Sequence, residues 1–182
     1  MTNFHELVPL PAVTEINSGL SPALPSTMLK LFGAPGRLTQ DCSPVTNAKL
    51  RQHIVSSNVG PFNVTGWGPA VESLRAVFAE VKADNPALYA VTRTAGMLCC
   101  RAVRGSQSHF SNHSWGCAID LEIESELDAL GANKVQRGIL LLYPYFHKHG
   151  FFWAAGYRGR KDPMHYEYAD ETVRAKYKAL YG

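Results

Sequence analysis

Two short segments far apart in this chain must meet in space before either can do chemistry, and that requirement constrains the fold more than any other feature. The first runs Ser111-Asn112-His113-Ser114-Trp115-Gly116-Cys117-Ala118-Ile119-Asp120. The second, Asp162-Pro163-Met164-His165, begins 42 residues after Asp120. Together they offer two imidazoles and one carboxylate as metal ligands, with a further carboxylate three residues before the last imidazole. A catalytic zinc takes three protein ligands, keeps one position for water, and needs a nearby base for that water's proton. His113, Asp120, His165 and Asp162 supply those parts, and they predict a zinc hydrolase with one zinc ion per chain.

Local patterning says how the parts can converge. Cys117 to Ile123 alternates apolar and polar residues and reads as a strand with Asp120 on the face of Ala118 and Glu122. His113 stands an odd number of residues before Asp120, so a straight strand would put the two on opposite faces. Gly116 supplies the bend that reunites them, and small Ala118 leaves room beside a metal. Asp162 and Pro163 favour a type I turn ending at His165, which sets the carboxylate beside the imidazole without making it a ligand. His165 then opens a strand with Glu167 on its own face.

The rest of the chain predicts an α+β fold in a single domain, a small antiparallel sheet flanked by helices with the zinc site on the sheet. Residues 1–45 hold Leu10-Pro11, Ser21-Pro22, Leu24-Pro25 and Pro35-Gly36 and read as an extended segment wrapping a domain of residues 46–182. Leu50, Ile54 and Val55 suggest a short helix. Val71, Leu74, Val77, Phe78 and Val81 recur at helical spacing up to Asn85-Pro86. Leu88–Thr94 and Met97–Val103 read as a hairpin about Ala95-Gly96. Val135, Ile139, Leu142 and Phe146 mark a helix kinked or ended by Pro144 and stopped by Gly150. Phe151–Ala155 and Met164–Tyr168 complete the strands, and Asp170 caps a last helix with Val173, Tyr177 and Leu180 inward.

Composition narrows the partners. A net charge of +3 from scattered basic residues lacks the stripe that nucleic-acid binding needs. No apolar run approaches the roughly 18 residues of a membrane span. The opening residues have neither the basic nor the apolar region of a secretory signal, so synthesis in the cytoplasm is expected, with Cys42, Cys99, Cys100 and Cys117 as free thiols. A monomer is expected.

Ser111–Asp120 fits the pattern SxHxxGxAxD, and Asp162–Glu167 fits DxxH followed by an aromatic residue and Glu. Together they resemble the zinc peptidases that cut peptidoglycan stem peptides, the family of VanY-like D-alanyl-D-alanine carboxypeptidases and L-alanyl-D-glutamate endopeptidases, the latter including phage endolysins. Arg101–Ser106 is similar to an arginine segment preceding the motif in many members, and the likeness spans roughly residues 65–170. It implies that His113, Asp120 and His165 bind zinc, that Asp162 is the general acid/base, and that an arginine polarises the scissile carbonyl or holds the substrate. Asp rather than Glu at the acid/base position implies the endopeptidase branch. A compact chain of this kind implies an endolysin that reaches the wall through a holin lesion.

Several residues carry a second reading. Arg101 and Arg104, three apart on a strand, would face opposite sides, and Arg101 is preferred as the catalytic one. Glu167 reads as a support for a ligand, with Ser111 and Trp115 as further candidates at the substrate cleft. His109 and His113 form HxxxH, but Phe110 stands where a zinc-helix peptidase has its Glu. Cys117 as a nucleophile is disfavoured because it points away from Asp120. Two other functions stay open: a D-alanyl-D-alanine carboxypeptidase, and a non-catalytic zinc-binding module, since hedgehog signalling domains carry a similar zinc site.

Overall fold

In the computed structural model, which describes residues 2–182, the strands and helices follow the chain as β1 (Leu7–Pro9), α1 (Pro25–Phe32), α2 (Ala48–Arg51), β2 (Ile54–Asn58), β3 (Asn63–Trp67), α3 (Gly68–Asp84), α4 (Pro86–Val91), β4 (Thr92–Gly96), β5 (Ala118–Ile123), β6 (Lys134–Gln136), α5 (Arg137–Lys148), β7 (Phe151–Trp153), β8 (His165–Tyr168) and α6 (Asp170–Tyr181). The central antiparallel sheet has the order β4-β5-β8-β7, and the pairs β1-β6 and β2-β3 form two small sheets. This is the α+β arrangement that the sequence predicts.

The pleat of β5 and β8 divides core from site. Ile119, Leu121 and Ile123 point to one face and are fully buried. Tyr166 lies opposite Ile119 on that face. Its hydroxyl donates to the Ile139 carbonyl of α5 at 3.0 Å, and that of Tyr168 donates to the Pro69 carbonyl of α3 at 2.6 Å. Helices α3 and α5 therefore cover this side. Phe146 of α5 packs on Tyr166 with ring centroids 4.3 Å apart and meets Phe78 of α3 edge-on. Burying each such side chain stabilises by about 1.5–3 kcal/mol. The other face of the same strands carries Ala118, Asp120, His165 and Glu167.

The chain reaches that face through a bend at Gly116. Asn112–Trp115 forms a 3-10 turn, and Gly116 follows it in the left-handed region at φ +67°. A Cβ on Gly116 would stand 2.6 Å from the Trp67 nitrogen and 2.7 Å from the Gly66 Cα. Both the backbone angle and the close approach of β3 thus require glycine. Gly116→Ala is expected to lower the unfolding free energy by about 2–5 kcal/mol, measured by denaturant titration. A loss under about 1 kcal/mol would mean that β3 moves aside.

Several expected elements differ. Pro86–Val91 is helical rather than extended, because the Asn85 side chain caps it by accepting from the Leu88 N–H at 3.0 Å and Pro86 suits the first turn. Met97–Val103 is irregular; Cys100 and Ala102 make only isolated bridges, to Ser43 and Phe110. The partner of β4 is β5 instead, with an irregularity between Thr94 and Gly96. Ile54 and Val55 begin a strand, since α2 ends at Arg51 and β2 turns back on β3. Helix α5 runs through Pro144, which forgoes one internal hydrogen bond, and Val135 belongs to β6. Ala169 occupies the cap of α6, Asp170 sits in its first turn paired with Arg174, and Leu180 is exposed.

The cysteines are the largest departure. Cys42 and Cys99 form a disulfide, while Cys100 and Cys117 are free and buried. The pairing follows from the lead segment folding back over the chain ahead of the 3-10 turn, where the Ser43 N–H donates to the Cys100 carbonyl at 2.9 Å. A separation of 57 residues gives no local hint of it.

Candidate metal centre

Asp120 and His165 are directly opposite one another on neighbouring strands, as are Ala118 and Glu167. Cross-strand pairing alone thus brings one carboxylate and one imidazole together, and the bend at Gly116 delivers the second imidazole from the 3-10 turn. His165 Nδ1 lies 2.8 Å from Asp120 Oδ1, His113 Nε2 lies 3.3 Å from that oxygen, and the two ring nitrogens are 3.2 Å apart. Ligand atoms around a tetrahedral zinc with bonds of about 2.0–2.1 Å stand roughly 3.3 Å from each other. The donor set therefore fits a zinc ion, and this is the group of described residues able to hold one.

Each imidazole is fixed in the tautomer that metal binding needs. His113 Nδ1 donates to the Met97 carbonyl at 2.7 Å, which leaves the lone pair on Nε2. His165 Nε2 donates to Glu167 Oε2 at 3.3 Å, which turns Nδ1 toward Asp120. Such outer hydrogen bonds orient ligands and raise their basicity. Glu167, itself fully buried, also accepts from the Ala23 N–H at 3.2 Å and from Asn112 Nδ2 at 2.7 Å. Burial opposes charge on His165, but the hydrogen bonds to Asp120 and Glu167 outweigh it and push the imidazole up to about 10. Burial likewise opposes charge on Asp120, yet His113 and His165 hold its carboxyl well below the ordinary range. A cation is thus favoured between these groups, and a metal entering there displaces a proton.

Asp162 stands beside the trio without joining it. The His165 N–H donates to the Asp162 carbonyl at 3.1 Å, closing the turn expected over Asp162–His165. Asp162 Oδ1 is buried and has no hydrogen-bond partner. Burial, then the charge of Asp120, raises the carboxyl above its ordinary value, against the pull of His165, His113 and Arg104. An unpartnered, buried carboxylate oxygen of raised basicity is suited to taking and returning a proton.

These groups open onto a cleft of about 760 Å³ that both Arg101 and Arg104 line. The expectation that only one of them could face the site assumed a strand, and the irregular backbone of 97–103 removes the alternation. Arg101 is half-buried; burial first, then Arg104, lowers its guanidinium, while Asp120 and Asp162 act the other way. Ser111 also lines the cleft. Trp115 does not: it is fully buried, with its indole N–H donating to the Gly33 carbonyl at 3.0 Å, so it belongs to the core. Cys117 is buried on the other side of the strand, and burial pushes its thiol far up, which suits no nucleophile.

Sequence reasoning missed Asn112, which clamps Glu167 and also donates to the Ala23 carbonyl at 3.0 Å. It also missed Tyr157, a cleft residue whose ring centroid is 6.3 Å from that of His165. Burial and the neighbouring Glu167 raise its phenol well above the ordinary value, so it is a neutral O–H donor. Asn112 lies inside the motif and could have been weighed, whereas nothing in the sequence marks Tyr157.

Residues 104–168 match the sequence profile of a peptidase family described as D-alanyl-D-alanine carboxypeptidase. No curated protein and no solved structure matches the chain. The matched stretch contains His113, Asp120, Asp162, His165 and Glu167, and Arg101 lies just before it. Over that stretch, about a third of its length, the chain is similar to the D-alanyl-D-alanine carboxypeptidase family.

Proposed function

We propose that this protein is a zinc-dependent endopeptidase that cuts the L-alanyl-D-glutamate bond of the peptidoglycan stem, in the manner of a phage endolysin. The observation that carries the reading is the convergence of three donor atoms 2.8–3.3 Å apart beside the unpartnered Asp162 carboxylate. His113 and Asp120 with His165 would hold the ion, which when bound supplies Lewis acidity toward water and a peptide carbonyl. Asp162 takes the proton of the attacking water on Oδ1 and returns it to the departing amine. Arg101 steadies the oxygen on which charge develops, and Tyr157 offers a neutral O–H at the same wall. Glu167, held by Asn112 and Ala23, keeps His165 in place.

Asp162 also argues against a zinc-binding module without activity, since a purely structural site has no use for a half-buried carboxylate whose inner oxygen lacks a partner. Asp at this position, rather than Glu, supports the endopeptidase choice through the family resemblance. The family description itself favours a second reading, removal of a terminal D-alanine. The two are separated on purified sacculi. New D-glutamate amino termini with falling turbidity are expected, whereas free D-alanine at constant turbidity would move the protein to the carboxypeptidases.

A further inference from the structure

Four of the chain's ten arginines, Arg101, Arg104, Arg158 and Arg160, line the same cleft, which has no lysine in its wall. Among the described residues, none of the four makes a salt bridge. Of the acids of the cleft, Asp120 is engaged by the two histidines and Glu167 by His165, Asn112 and Ala23, which leaves Asp162 as the nearby countercharge to Arg101 and Arg104, without a salt bridge to either. Arg158 and Arg160 lie in the loop between β7 and Asp162, and Arg160 Nη2 donates to the Arg104 carbonyl at 3.1 Å. That bond joins the loop carrying Arg158 and Arg160 to the turn carrying Arg104, so three of the arginines belong to two connected segments of the cleft wall. Leu127 and Leu130 line the same cleft, and the Gly131 N–H donates to the Lys161 carbonyl at 2.8 Å, setting this apolar stretch against the arginine loop.

Unpaired guanidiniums beside exposed aliphatic surface fit a ligand with a short hydrocarbon arm ending in a carboxylate, which Arg grips through paired N–H donors. The third residue of a stem peptide comes in two chemistries. Diaminopimelate ends its arm in a carbon bearing both a carboxylate and an amine, whereas lysine ends in the amine alone. We infer that Arg104, Arg158 and Arg160 form a subsite for the distal carboxylate of a diaminopimelate stem. The chain thus selects diaminopimelate peptidoglycan over the lysine type. This rests on the stem-peptide reading above.

Calorimetric titration of the zinc-loaded protein tests it with three dipeptides that carry no scissile L-alanyl bond: γ-D-glutamyl-meso-diaminopimelate, its distal carboxamide, and γ-D-glutamyl-L-lysine. The first is expected to bind at least about tenfold tighter than the other two, a ratio that charge-assisted hydrogen bonds readily supply. An Arg158→Gln, Arg160→Gln double variant is expected to bind all three within about twofold of one another. Equal binding of the three by the unaltered protein overturns the subsite, and so does a double variant that keeps the preference. The carboxamide comparison needs no variant, so it decides even if the double variant folds poorly. Sacculi cleaved without any dipeptide preference would remove this inference alone; a preference without cleavage of sacculi would remove the hydrolase reading alone.

Discussion

His165→Ala is expected to yield a folded protein with almost no bound zinc and activity reduced at least about a thousandfold. Three ligands are the minimum for a catalytic zinc, and several kcal/mol of stabilisation at the reacting carbonyl leave with the ion. His165 is also the residue on which Asp120, His113 and Glu167 converge, at 2.8, 3.2 and 3.3 Å. Removing its ring leaves Glu167 with Ala23 and Asn112 as donors, so the fold should survive while the centre does not. Metal analysis of the purified variant, alongside circular dichroism, checks both halves. Zinc at the level of the unaltered protein would show that the ion sits elsewhere. Asp120→Ala and His113→Ala should behave alike.

Asp162→Asn separates proton handling from metal binding. Its side chain is not among the three convergent donors, so zinc content should remain, while turnover falls about a hundredfold or more. The pH profile adds a second signature. Burial and Asp120 raise the carboxyl above its ordinary value of 3.8. The active base form is therefore lost as pH falls through a value above that of a free aspartate, and the acid limb of kcat/KM should lie correspondingly high. In the Asn variant that limb should vanish from whatever activity remains. Near-normal turnover in the zinc-loaded variant would pass the proton role to another group of the cleft.

The features legible in the sequence share one property: their geometry is local or set by period. The alternation of Cys117–Ile123 gave Asp120 its face, the odd spacing to His113 demanded the bend at Gly116, and Asp162-Pro163 announced its turn. The long periodic helix from Val71 to Val81 was equally plain. What escaped depends on distant partners. Leu88–Val91 has strand-like composition at its end, yet an Asn85 cap decides for helix. Met97–Val103 looks extended but has only isolated bridges, and that irregularity is what lets Arg101 and Arg104 share a cleft. Trp115 sits in the motif, but its indole answers to Gly33, 82 residues earlier. The Cys42–Cys99 bond and the clamp on Glu167 by Ala23 arise from the same return of the lead segment, which no spacing encodes.

That return has a kinetic consequence. Glu167 takes its hydrogen bonds from residues 144 and 55 positions earlier, and the Asp170 N–H reaches back to the Ser21 carbonyl. Contacts spanning nearly the whole chain close late in folding, after the loops between them have been ordered. A growing polypeptide contains His113 in its 3-10 turn and Asp120 on β5 well before β8 exists, and at about 5–20 residues per second the gap lasts seconds. During synthesis the chain is therefore a ligand pair without its third member. The three-donor centre comes into being only when β8 slides in beside β5, so the proposed hydrolase is silent until that strand has been made.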